Sequence, residues 1–263
     1  MKRVLVFVLL FTFVSAYSQF VEENLDRELY RANKVKAVKI YESRYRNGAA
    51  GRREKIDDYK AIDTLGRITE SISYDGKDYR QLFNYDSAGN VSEHITFILQ
   101  NEAYSTPFTY ELDGKGRIAA VKKREHEQWI FSYDSTDNII AQKWISNDDY
   151  PQSFLLDSFQ YNSKKQMIKM TRYWSGMQLY FYKTFGYDDA GNKISEVRFQ
   201  NGEMTDTWEY YYDGNHHKTG WAHYGSKMEK TYGTYLVNEY DQNGLLLSSV
   251  VGKRYRRYVY EFY

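Results

Sequence analysis

Apolar and polar residues alternate along most of the chain. Phe83 and Tyr85 share one parity, as do Phe108, Tyr110 and Leu112, then Trp129, Phe131 and Tyr133. The pattern continues with Leu155, Phe159 and Tyr161, with Phe181, Phe185 and Tyr187, and with Trp208, Tyr210 and Tyr212. Side chains two positions apart point the same way in a strand, so each series predicts a β-strand with one aromatic face. Each series ends on the same punctuation: an apolar or aromatic residue, Asp, two residues, Gly. The full form closes at Gly66, Gly89, Gly116, Gly191 and Gly244. Three copies, Tyr133 to Asp137, Tyr161 to Lys165 and Tyr212 to His216, lack the glycine. The turn acids are thus Asp63, Asp86, Asp113, Asp134, Asp188, Asp213 and Asp241, with Asn162 in the fifth copy, at a mean spacing of about 25 residues.

This spacing predicts a turn. Asp at the first position accepts the N–H two residues on, and Gly at the fourth takes the left-handed conformation that closes a hairpin. Asp137, Lys165 and His216 must hold that position without glycine; Lys165 is the least suited, so a different turn shape is expected there. Strands then restart at Ile68, Val91, Ile118, Ile139, Met167 and Ile194. Between these turns lie two-residue hairpin signals, Asn47-Gly48, Asp75-Gly76, Ser175-Gly176 and Asn201-Gly202. Longer connections are expected around Asn101 to Thr106, Asn147 to Pro151 and Thr219 to Lys227, with Pro107 and Pro151 in or beside them. The expectation is all-β: about eight hairpins and on the order of sixteen strands in an antiparallel meander, forming a twisted, curled sheet or solenoid.

The N-terminus reads differently. Lys2 and Arg3 precede the apolar run Val4 to Val14, and Ala16-Tyr17-Ser18 supplies small residues for cleavage after Ser18. Residues 1–18 are therefore read as an export signal; the apolar run is too short for a bilayer, which needs about 20 residues. Residues 19–34 carry Val21, Leu25 and Leu29 among acidic positions and predict a short helical cap. The β domain is expected over 35–263. Its last strand, Tyr255 to Tyr263, follows or contains Arg254, Arg256 and Arg257, read as protection of a free sheet edge.

Composition narrows the function. Among 263 residues, 36 Lys+Arg balance 35 Asp+Glu, for a net charge of +1, which argues against a nucleic-acid binder. The absence of Cys excludes disulfides, thiol catalysis and cysteine-based zinc sites. Export without cysteine points to a bacterial secretory route, with the periplasm or outer surface as destination. The 28 Tyr, 14 Phe and 5 Trp suit extended sheet.

The Tyr-Asp-x-x-Gly-Asn/Arg-Ile/Val units resemble the YD-repeat family, also called Rhs-type repeats, over roughly residues 35 to 263. The resemblance implies a wound β-shell, export, and a link to carbohydrate binding or adhesion. This chain has too few strands to enclose a cargo domain and looks like a short exported YD-repeat protein of Gram-negative bacteria.

Catalytic chemistry is not signalled. His216, His217 and His223 match no zinc spacing and are read as a solvated loop. The recurring Asp residues are read as turn caps rather than calcium ligands. Asp57-Asp58, Asp148-Asp149 and Asp188-Asp189 are adjacent pairs whose members should point to opposite faces, unlike a glycosidase dyad. No nucleophile elbow, phosphate loop or zinc-protease helix occurs, so no enzyme, metal or cofactor is expected. Trp129 and Trp208 fall in register with the aromatic face and are read as packing. Trp144 and Trp174, in strands after the turns, and Trp221, placed in a loop, are the candidates for rings that stack on a sugar. The leading expectation is a non-enzymatic binding or adhesion module for an envelope glycan or protein. The alternative is a structural subunit of an envelope complex.

Overall fold

The computed structural model describes residues 27–74, 79–98, 101–124, 126–146 and 154–263. The export signal, the first part of the helical cap, Asp75-Gly76, the 147–151 connection and the pair Asp148-Asp149 lie outside the described residues. A short helix, α1 (Arg27–Ala32), leads into β1 (Val35–Arg46), the two-residue β2 (Ala49–Ala50), β3 (Lys55–Ile62), β4 (Ile68–Ser73), β5 (Tyr79–Tyr85) and β6 (Val91–Ile98). The meander continues through β7 (Asn101–Leu112), β8 (Ile118–Lys123), β9 (Glu127–Tyr133), β10 (Ile139–Ser146), β11 (Phe154–Tyr161) and β12 (Met167–Trp174). It ends with β13 (Gln178–Tyr187), β14 (Lys193–Gln200), β15 (Glu203–Tyr212), β16 (Lys218–Gly225), β17 (Lys230–Tyr240), β18 (Leu246–Val251) and β19 (Arg254–Phe262).

The sheet is closed into a ring, which corrects the expected curled sheet or solenoid of repeats. β1 pairs antiparallel with β3 on one side and with β19 on the other, from Val35↔Phe262 to Arg44↔Arg254. The result is an 18-stranded antiparallel barrel, with β2 as an extra arm paired to β1 alone. Strands ~4.8 Å apart and tilted ~40° give such a ring a perimeter of about 110 Å. The recurring turns are therefore the rim of one ring and not the stacked units of a repeat solenoid. β19 is likewise no free edge. Arg256 reaches Asp57 at 2.8 Å and Glu42 at 3.4 Å, and Arg257 reaches Glu54 at 2.6 Å, so these arginines tie the seam instead of guarding an edge.

All eight turns share one geometry. In each, the fourth residue donates its N–H to the carbonyl of the first; Gly66 to Asp63 (2.9 Å) and Lys165 to Asn162 (2.9 Å) are examples. The side-chain oxygen of the first residue accepts the N–H four positions on, at 2.8–3.0 Å in every copy. Lys165 takes φ +61°, beside Asp137 at +68° and His216 at +66°, so the expected exception at 162–165 does not occur. The two hydrogen bonds that Asn162 Oδ1 accepts hold Lys165 in the left-handed region. The opposite rim differs more from expectation. Asn47-Gly48 and Asn201-Gly202 form tight turns with both residues at positive φ. Ser175–Met177 is a 3-10 turn, and residues 101–106 and 219–225 belong to β7 and β16. Pro107 lies inside β7, at the last register pair with β6 (Glu93↔Pro107), where the ladder ends and its missing N–H breaks nothing.

The aromatic parity faces inward. Starting from buried Phe83, register pairs carry the same face through His94, Thr106 and Phe108, then Trp129, Trp144, Leu155, Tyr173-flanked Arg172, Phe181 and onward to Trp208, Trp221 and Tyr258 beside Ile40. Val38, Ile62, Ile68, Phe83, Phe108, Trp129 and Phe131 form the main apolar cluster, which Tyr30 and Leu29 of α1 join. Phe159, Met167, Met170 and Phe181 form a second cluster. The helix seats on the turn rim: a Cβ on Gly66 would collide with the Arg27 carbonyl, and one on Gly244 would lie 3.8 Å from Leu29. The outer face also carries charge, with ion pairs Lys39–Glu261 (2.6 Å), Arg80–Glu70 (2.5 Å) and Lys122–Glu111 (2.5 Å). Among the described residues no helix is long and apolar enough to cross a membrane.

Candidate functional site

The inner wall has two zones. Near the turn rim it is aromatic, and the tyrosine preceding five of the turns binds back to the previous hairpin. Tyr85 Oη donates to the Ile68 carbonyl (2.6 Å), Tyr133 to Ile118 (2.8 Å), Tyr161 to Ile139 (2.8 Å), Tyr187 to Met167 (2.8 Å) and Tyr212 to Lys193 (3.0 Å). Where Leu112 replaces that tyrosine, Tyr110 does the same work on Val91 (2.8 Å). Buried hydroxyls need such partners, and the aromatic bodies fill the wall between hairpins. Burial pushes the Tyr161 phenol up to about 12.

Farther from that rim the wall turns polar. Gln142 stands opposite Asp157, and Asp157 is buried in a two-bond pair with Arg172 (2.7 Å each). Arg172 and Arg198 both cover the Phe181 ring, at 5.4 and 4.5 Å. Next in register is Asp206, which binds His223 Nε2 at 3.0 Å. The other ring nitrogen of His223 contacts Thr231 Oγ1, and its ring packs between Tyr232 (4.4 Å) and Trp208 (4.7 Å). Trp221 meets Tyr232 edge-on at 5.3 Å.

Between these zones, on β13 to β16, lies a cationic cluster. Glu196 binds Lys183 (2.8 Å) and Lys193 (3.0 Å) and accepts from Tyr210 Oη (3.4 Å). Burial raises the Glu196 carboxyl, but Lys193 and Lys183 outweigh it and hold the group below its usual range. Lys218 lies 4.2 Å from the Tyr210 ring centre and makes no salt bridge among the described residues. Burial first, and Lys193 second, push Lys218 below the usual lysine range.

Each tryptophan singled out from sequence has a different setting. Trp144 faces inward opposite Trp129 and packs on the main apolar cluster. Trp221 sits in strand β16 rather than a loop, on the inner wall opposite Tyr210. Trp174 is at the rim opposite the eight turns, 49% exposed, edge-on to Tyr180. Met177, Leu179 and Tyr180 are exposed beside it in sequence. The structure does not gather the three into one site.

The histidines also separate: His216 binds Asn192, His217 stacks on Tyr240 at 4.3 Å, and His223 is inside the barrel. The Asp57-Asp58 pair departs from the alternation argument. A bulge in the β1–β3 register, with Ile40 opposite Asp58 and Tyr41 opposite Ile56, leaves Asp57 unmatched. Burial, and then Asp57, push the Asp58 carboxyl up.

Placing strand restart at Ile194, which faces outward at 40% exposure, leaves the cationic cluster invisible in the sequence. The true inner position is five residues after each turn acid. It reads Ile68, Val91, Ile118, Ile139, Met167, Lys193, Lys218, Leu246. Aligning the copies on the turn acid would have shown two adjacent lysines in an otherwise apolar column.

No family model matches the chain. Among solved structures, a porin-like protein from Bacteroides uniformis is 9% identical with a TM-score of 0.44, covering 86% of this chain and 98% of that one. A porin-like protein from Bacteroides vulgatus is 11% identical with a TM-score of 0.33, covering 87% and 98%. A TcdB2-TccC3-Cdc42 structure is 12% identical with a TM-score of 0.31, covering 76% of this chain and 12% of that one. At this level of overlap these likenesses decide neither family nor activity, and membership of the YD-repeat family is not shown.

Proposed function

We propose that this protein is an exported, non-enzymatic barrel that binds a saccharide of the cell envelope against the inner wall of β13–β17. The observation that carries the reading is the juxtaposition there of aromatic rings with hydrogen-bonding and charged groups: Trp208, Tyr210, Trp221 and Tyr232 beside Asp206, His223 and Glu196. Sugars combine apolar ring faces with hydroxyl edges, and such a wall offers partners to both. The test is intrinsic tryptophan fluorescence of the purified protein titrated with a panel of envelope polysaccharides. A saturable change with one polymer, lost in Trp221→Ala, is expected; no change with any member of the panel overturns the reading.

The barrel works in water on this reading. A lipid-facing barrel needs an apolar, charge-free outer band about 25 Å tall, and substituted charges at mid-bilayer cost ~2–4 kcal/mol each. Here the outer face carries ion pairs such as Lys39–Glu261, Arg80–Glu70 and Lys122–Glu111. β4, β8 and β18 have only six residues, against the ~9–11 of a membrane strand. The protein is expected to stay monodisperse without detergent in light scattering; a requirement for detergent would sink the soluble reading.

A second reading, an assembly subunit, is favoured by the exposed Trp174, Met177, Leu179 and Tyr180 on one rim. Concentration-dependent association abolished by Trp174→Ser, with no saccharide binding, would favour it over the first.

A further inference from the structure

The interior-facing column five residues after each turn acid is apolar in six of eight copies and lysine in the sixth and seventh. Those two copies are neighbours in the ring: Lys193 opens β14 and Lys218 opens β16, both directed inward by their pairing with Tyr187 and Tyr212. Fold alone does not require the change, because Met167 and Leu246 fill the same position with apolar side chains. Sequences break a local rule of this kind chiefly at functional sites.

The surrounding charges are unbalanced. Lys183, Lys193, Arg198 and Lys218 face a single shared carboxylate, Glu196, on this stretch of wall. The next carboxylate in register, Asp206, is bound to His223. Arg198 Nε is buried and makes no hydrogen bond. Aromatic rings interleave the cations: Lys193 is 4.9 Å from the Tyr210 ring centre and 5.4 Å from that of Phe185, and Lys183 is 5.8 Å from that of Trp208. Desolvated ammonium groups against ring faces attract an anion strongly, because little solvent competes for them. α1 seats on the turns that follow β3, β5 and β17, elsewhere around the rim.

We propose that the inner wall of β13–β16 selects acidic saccharides, with Lys193 and Lys218 receiving a sugar carboxylate. This rests on the saccharide-binding reading above and names the ligand's chemical class. Lysine suits the role: it is a compact charge with rotatable donors, adaptable to one carboxylate presented at several angles.

The test compares two probes of equal length, a galacturonic acid tetramer and a neutral galactose tetramer, titrated into the purified protein by calorimetry at low salt. The acidic tetramer is expected to bind at least tenfold more tightly. The double variant Lys193→Met with Lys218→Met restores the side chain that Met167 already provides in the fifth copy, so the barrel is retained, as far-UV circular dichroism would verify. It is expected to weaken the acidic tetramer at least tenfold and leave the neutral one unchanged. Equal affinity for the two tetramers, or acidic binding that survives the double variant, overturns the charge selection while the saccharide reading stands. Failure of both tetramers and of the polysaccharide panel overturns both.

Discussion

Five residues placed at one turn position in different copies isolate single effects. Gly66 and Gly116 both take φ near +79°, yet a Cβ at Gly116 meets nothing within 4 Å whereas one at Gly66 strikes the α1 backbone. Gly116→Ala should cost about 1–2 kcal/mol from the left-handed backbone alone. Gly66→Ala should cost more, because it also unseats the helix; equal melting temperatures for the two variants would mean α1 contributes nothing. Conversely, Lys165→Gly should stabilise by about 1 kcal/mol, since glycine removes the left-handed penalty. His216 and Asp137 show that the turn tolerates substitution because its capping acid, not its glycine, holds the backbone. That explains why the degraded copies are readable in sequence and why the turn at Lys165 keeps the common shape: Asn162, not glycine, fixes it.

Turn elements also set the response to acid. The Arg117 side chain holds the Asp113 carboxyl at about 2, and the Asn138 side chain holds Asp134 at about 2. Asp188 and Asp213 are lowered as well, chiefly by Asn192 and by the His217 backbone N–H. A carboxyl lowered by folding stabilises the native state above its unfolded value, near 3.9, and loses that contribution as pH falls through the folded value. Sheet signal in circular dichroism should therefore fade between about pH 4 and pH 2. Asp134→Asn keeps an acceptor, as Asn162 does, but lacks the titrating carboxylate, so its stability should fall less between about pH 4 and pH 2 than the parent's; an equal fall would exclude Asp134 from the acid transition. The strand elements make a parallel prediction. Tyr161→Phe removes the bond to the Ile139 carbonyl and should destabilise by about 1 kcal/mol in denaturant melts. Parity along each strand was legible in sequence, including which face was aromatic. The hydroxyl bonds that link hairpins were not, because they join residues 15–22 positions apart across a turn and leave no periodic signal of their own.

At the scale of the whole molecule, the closure decides what the pattern could not. Alternation and turn chemistry are identical in an open meander and in a ring; only the pairing of β1 with β19 separates them, and that depends on accumulated twist over all the intervening strands. The same limit hides the cationic cluster of the inner wall, since inside and outside have no meaning until the sheet closes. Removing β19 by truncation before Arg254 would leave β1 and β18 with free edges. Such a chain should associate through those edges, seen as growth in light scattering, while the intact chain stays monomeric.

The seam also imposes an order in time. Lys39 and Glu261 meet across it although they lie 222 positions apart, whereas every other neighbouring pair of strands in the ring is joined by a short local connection. Hairpins can zip on the microsecond scale, but the seam must wait until nearly the entire chain has been synthesised and curled. Until then both terminal strands present unpaired edges, so the newborn polypeptide passes through a long interval in which its two ends are open to pairing with other chains.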